Sequence, residues 1–283
     1  MGKRYKWGGP LDPGWLFFRF RAFRHRFGKR FRDGLYRAIR RPAAHLLWSI
    51  WSRGGPVPDR MISRRVAVDR LDDATRLHLP PAMLDRIVCS PKTGRAVAKP
   101  DRRKFFWPGD WDLWTRPLEE NSRFKLMADV WNHRDDLRAS ASWHALVADM
   151  EQGRAYARIP QGLALDTPER IETYLRDCIA LIASIRDQGF REDLSVEDIN
   201  VAIDRNGRIL KTNAGRKRLA AARLVGLETI PVRIAHVHAE WWRQQRDRHS
   251  GTAEARLHRA LQEVAADTAR QPPADAADGR ANP

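Results

Sequence analysis

Ile199-Asn200-Val201-Ala202-Ile203-Asp204-Arg205-Asn206-Gly207-Arg208-Ile209-Leu210-Lys211-Thr212, followed by Asn213-Ala214-Gly215 and Arg216-Lys217-Arg218-Leu219-Ala220-Ala221-Ala222-Arg223-Leu224-Val225-Gly226, decides the fold of this chain. The first six residues alternate as a half-buried strand does, and Asp204 to Gly207 has the composition of a two-strand turn. Arg208 to Thr212 returns as a second strand. Gly215 then opens a helix whose run of three alanines favours it, and Gly226 stops it. Thr229-Ile230-Pro231-Val232-Arg233-Ile234 reads as the next strand. Upstream, Thr167 is placed as an N-cap with Pro168 in the first turn. Ile171, Tyr174, Leu175, Cys178, Ile182 and Ile185 keep one apolar face until Gly189. The order is helix, hairpin, helix, strand, in an α+β chain.

The chemistry of this stretch gathers at Gly215. Glycine allows a backbone to approach a ligand closely, and the open N–H groups of a first helical turn form an anion site. Arg216, Lys217 and Arg218 lie where the helix dipole disfavours cations unless an anion neutralises them. The alternative is a surface turn whose cations point into water. Local sequence leaves both open.

From Ile185-Arg186-Asp187-Gln188-Gly189-Phe190 through Gly215-Arg216-Lys217-Arg218 to Ile230-Pro231-Val232, about a quarter of the chain, the sequence resembles the ParB/sulfiredoxin superfamily. In ParB the matching helix opens Gly-Glu-Arg-Arg, and in sulfiredoxin Gly-Cys-His-Arg. The resemblance implies a nucleotide-phosphate loop made of Asn213, Gly215, Arg216, Lys217 and Arg218, with ATP or CTP as the nucleotide and Mg²⁺ as a companion ion. Arg216 stands where sulfiredoxin has its reactive Cys, so that nucleophile is missing. It also replaces the ParB Glu, which removes a residue of CTP hydrolysis and leaves binding. The wider arrangement, Pro108-Gly109-Asp110-Trp111-Asp112 and then His238-Ala239-Glu240-Trp241-Trp242, resembles a group of microbial proteins with a ParB-like C-terminal half. It implies that the aromatic segment packs with the module.

Working outward, residues 161–248 form the expected ParB/sulfiredoxin-like domain and 104–160 an aromatic-rich helical segment. Asp110 and Asp112, two apart, could hold a divalent cation from one side of an extended segment; capping of turn N–H groups is the commoner use. No His/Cys cluster has metal-ligand spacing: His133 and His144 are eleven apart, and His236 and His238 read as structural. Residues 57–103 read as a connector in which Ile87-Val88-Cys89 adds a strand. Thr252 to Arg270 is a polar helix with Leu257, Leu261 and Val264 on one face, and the rest of the 249–283 segment is an expected disordered tail.

Charge sets the N-terminal end apart. The chain has 283 residues and a formal net charge of +17, of which residues 1–60 supply +12. In the arm, residues 1–56, Leu16, Phe20, Phe23, Phe27, Phe31 and Leu35 recur at helical steps, with Arg19, Arg21, Arg24, Arg26 and Arg30 between them. Such a basic amphipathic helix has three readings: packing on the rest of the protein, contact with DNA phosphates, or lying on an anionic membrane. Two cysteines, far apart, exclude a disulfide scaffold and point to the cytoplasm, with a peripheral membrane place left open by the arm. The longest uncharged run near the N-terminus, Pro42 to Ser52, has 11 residues, too few to span a bilayer as a helix.

Three functions follow. The first is nucleotide or phosphate binding at Gly215 to Arg218. The second is a DNA-binding, partition-like or regulatory protein, although the residues after Trp241 are too few for the helix-turn-helix domain of ParB. The third is a small-molecule kinase using an adenine nucleotide, which would need a base and metal ligands from Asp110, Asp112, Glu119 or Glu120. Sequence does not decide whether there is turnover, nor the oligomeric state.

Overall fold

The computed structural model describes residues 3–5, 41–89, 101–158, 163–191, 198–212 and 214–270. The arm arginines 19, 21, 24, 26 and 30, Asn213 and the expected C-terminal tail lie outside these residues. The chain divides into two compact units, Met1–Arg40 with Lys125–Ser184, and Arg41–Phe124 with Ile185–Pro283. Each is described by itself.

The larger unit is built on a mixed sheet whose strands run in the order β2 (Arg76–Leu79), β10 (Ile230–His238), β8 (Asn200–Ile203), β9 (Ile209–Lys211), β3 (Arg86–Val88) and β5 (Thr115–Pro117). A short β4 (Phe106–Trp107) pairs in parallel with the far end of β10, beyond the stretch that β2 covers. The expected hairpin is β8–β9, with Val201 opposite Lys211 and Ile203 opposite Ile209. Its turn closes because Asp204 accepts at Oδ1 from the N–H groups of Asn206 and Arg208, while Gly207 takes a φ of 88°. The chain then crosses through α6 (Arg216–Leu224) and returns as β10, parallel to β8. Leu219 to Ala222 are all buried, so three methyl-sized side chains let this helix pack closely.

Residues 57–103, expected as a connector, supply α2 (Arg64–Leu71) and the strands β2 and β3. The strands are only four and three residues long, which is why their alternation is faint in the sequence. Around the sheet, α1 (Arg41–Ser52) inserts Trp48 and Trp51 into a cluster with Phe106 and with Trp242 of α7 (Ala239–Arg248). α8 (Ala253–Arg270) buries Leu257 and Leu261 of the face expected for it and leaves Val264 half-buried. Trp107 and Trp111 pack with Val88, Ala202 and Leu210, so the aromatic segment joins the hairpin in one core.

The smaller unit holds a three-stranded antiparallel sheet, β1 (Lys3–Tyr5), β6 (Ala155–Arg158) and β7 (Leu163–Leu165). The two helices expected around Trp131 and Trp143 are α3 (Ser122–Asn132), which enters this unit at Lys125, and α4 (Ala141–Glu151). The Ser140 hydroxyl caps α4 by accepting from the N–H of Trp143. α5 (Pro168–Gln188) belongs to this unit as far as Ser184 and buries every apolar residue expected on its face.

Candidate functional site

The turn into α6 is built on a buried lysine. Lys211 ends β9 with no exposed surface, and its Nζ donates to the carbonyls of Asn200 (2.9 Å), Thr212 (2.7 Å) and Ala214. Three carbonyls match the three hydrogens of an ammonium. Burial, and then the charges of Arg216 and Arg218, hold its pKa well below the usual lysine value. The Asn200 carbonyl also accepts from the N–H and the hydroxyl of Thr212, at 3.2 and 2.9 Å. Sequence reasoning passed over Lys211. The available signal was a lysine at a position that alternation turns inward, opposite Val201.

Gly215 caps α6 at φ 75° and ψ 16°, in the left-handed region. A Cβ there would lie 2.8 Å from the Cα of Ile199 and equally near its Cγ1. The close approach is therefore to the neighbouring strand, and the fold alone accounts for the glycine. Among the described residues no side chain caps the helix, and its first turn holds no acid. Arg216, Lys217 and Arg218 are half-buried there. Arg218 lies over the ring of Phe190, 5.5 Å from its centroid. Beside it a crevice of about 10 Å³, lined by Arg76, Asp198 and Arg233 among others, has room for about one water. Arg233 is committed to the fold: it donates to Thr75 and to the Asp72 carbonyl at 3.0 Å and faces Asp198 at 3.2 Å.

The structure gives Asp110 and Asp112 a guanidinium. Arg205, in the hairpin turn, reaches Asp112 through Nε and Nη2 at 2.7 Å each, and the same Nη2 reaches Asp110 at 2.7 Å. The backbone N–H of Arg205 adds a fourth contact, to Asp112 at 3.2 Å. Burial raises the Asp112 pKa, but the bonds from Arg205 outweigh it and the net value is below the usual carboxylate range. The Arg205 guanidinium is correspondingly raised. Among the described residues no group of His, Cys, Asp or Glu is arranged to hold a metal. Glu119, another of the candidate acids, is paired with Arg223 at 2.7 Å.

His238 closes this corner, with Nε2 2.8 Å from the Gly109 carbonyl and Nδ1 accepting from the N–H of Glu240. The same Nε2 lies 3.6 Å from Oδ1 of Asp112. His236 stacks on Trp107 at 3.6 Å and bonds the Lys104 carbonyl, and burial keeps its pKa well down. Both histidines are structural.

A cavity of about 610 Å³ lies elsewhere, between the hairpin turn, α7 and α8. Its volume suits a small molecule. Its charges, however, answer one another: Arg208 pairs with Asp85 at 2.8 Å, and Arg248 faces Glu263 at 3.9 Å. Asp267, the remaining charge on its walls, faces Arg270 at 3.6 Å, so this mixed lining selects no ligand class.

No family model, curated protein or solved structure matches the chain.

Proposed function

We propose that the ParB/sulfiredoxin resemblance of residues 161–248 extends to function, and that this stretch binds a phosphate group, carried by a nucleotide such as ATP or CTP, at the start of α6. One observation carries this reading. Arg216, Lys217 and Arg218 stand in the first turn of a helix that holds no acidic residue there, with Lys211 buried beneath the turn. Open N–H groups at a helix start, with basic side chains beside them, suit an anion such as phosphate. The crevice beside Arg218 has room for about one water, so on this reading the phosphate takes the outer side of the first turn, against Arg216 and Lys217.

The kinase alternative has less support, because Asp112 gives both oxygens and Asp110 one to Arg205, and Glu119 is held by Arg223. Thermal unfolding in the presence of ATP, ADP, CTP or GTP, with and without Mg²⁺, tests the reading. A ligand at 100 times its dissociation constant adds about 2.7 kcal/mol of apparent stability. The expected result is a higher midpoint with one nucleotide, lost in Lys217→Ala and in Arg218→Ala. Midpoints that no nucleotide or inorganic phosphate moves would overturn it.

A further inference from the structure

α1 is apolar on two opposite sides. Its inner side is fixed by the buried Trp48 and Trp51, the Trp51 ring packing with Trp48, Phe106 and Trp242. At 100° per residue, Pro42, Ala43, Leu46 and Ile50 share the opposite arc, and all four are exposed, Leu46 by 62% and Ile50 by 39%. Apolar surface on a helix is ordinarily enclosed, and this helix turns one of its two apolar sides outward while the other is held by an aromatic anchor.

The charge around this face says what fits it. From residue 34 to residue 58 the sequence has four arginines, at 37, 40, 41 and 53, and no acidic residue. Arg41 opens the helix, Arg53 follows it, and both are exposed. A helix about 18 Å long with an apolar face and a basic residue at each end suits the headgroup layer, where leucine and isoleucine enter the acyl boundary and arginines meet lipid phosphate. Nucleic acid would use the arginines and leave the apolar arc in water. We propose that the outward face of α1 docks on an anionic lipid surface.

The test is co-sedimentation of the full chain with vesicles of phosphatidylcholine alone and of phosphatidylcholine mixed with phosphatidylglycerol, comparing wild type with Leu46→Asp/Ile50→Asp. The expected result is binding to the mixed vesicles, little to phosphatidylcholine, and affinity lower by about tenfold or more in the variant with unchanged far-UV circular dichroism. Should the aspartates unfold the helix, Leu46→Gln/Ile50→Gln makes the same comparison with neutral side chains. Equal binding by folded variant and wild type would overturn the proposal, as would failure of the wild type to sediment with mixed vesicles. So would a concentration-dependent oligomer that the variant dissolves, since the face would then belong to a second copy. Retention of a DNA duplex without binding to vesicles would equally end it.

Discussion

The two ends of the β8–β9 hairpin treat charge in opposite ways. At the turn, Arg205 meets Asp110 and Asp112, and every strong donor has an acceptor of opposite sign. At the open end, Lys211 is met by three carbonyls and flanked by Arg216 and Arg218, whose charges add to its cost. The first arrangement sets opposite charges against one another. The second sets carbonyl dipoles against a cation that has like charges for neighbours. That difference makes the two ends respond differently to the loss of a partner and to pH.

Breaking the turn should have the largest effect. Arg205→Met leaves Asp112, whose side chain is only 3% exposed, without its counter-ion, and we expect a loss of about 3–5 kcal/mol in urea unfolding. Asp112→Asn combined with Arg205→Met should recover much of that loss, because no charge is then stranded. At the open end Gly215→Ala must push its Cβ into Ile199 at a positive φ, at a cost of about 1–3 kcal/mol in the ligand-free protein. A variant that keeps full stability and loses only phosphate affinity would return the glycine to the ligand.

Lys211→Met should cost about 1–3 kcal/mol by leaving the Thr212 and Ala214 carbonyls without their donor. The same substitution sharpens the comparison through pH. A lysine whose folded pKa is depressed binds fewer protons in the folded than in the unfolded state between the two values. Its contribution to stability therefore rises as pH climbs from the depressed value toward about 10.4. Asp112 gives the opposite window: its contribution is present above the unfolded value of about 3.9 and is lost as pH falls through the lower folded one. Unfolding midpoints measured across acid and alkaline pH in Arg205→Met and Lys211→Met should each lose only one of these slopes. The smallest effect belongs to Asp85→Ala, which removes a half-exposed partner of Arg208 and should change stability by less than about 1 kcal/mol.

What the sequence revealed followed from periodicity. The apolar face of α5 from Ile171 to Ile185, the hairpin with its Asp204-to-Gly207 turn, and the Ala-rich α6 all carry a repeat long enough to read. β2 and β3 did not, since two or three alternations are too few to distinguish from a loop. At the site, the cations of α6 were visible as residue types. The Arg205 clamp was not, because Asp112 and Arg205 are 93 positions apart and only the strand order brings them together. Gly215 was legible as a turn, but the atom it makes room for belongs to Ile199, a contact no local spacing encodes.

The Asn200 carbonyl, which takes three donors from the opposite strand, has a further consequence for how this hairpin opens. Strand pairs ordinarily fray from the end away from their turn, so the amides there exchange with solvent first. Here that end is riveted by an ammonium and a threonine. Deuterium should therefore reach the Thr212 amide only when the larger unit opens as a whole, and the slowest clock in the hairpin ticks at its mouth.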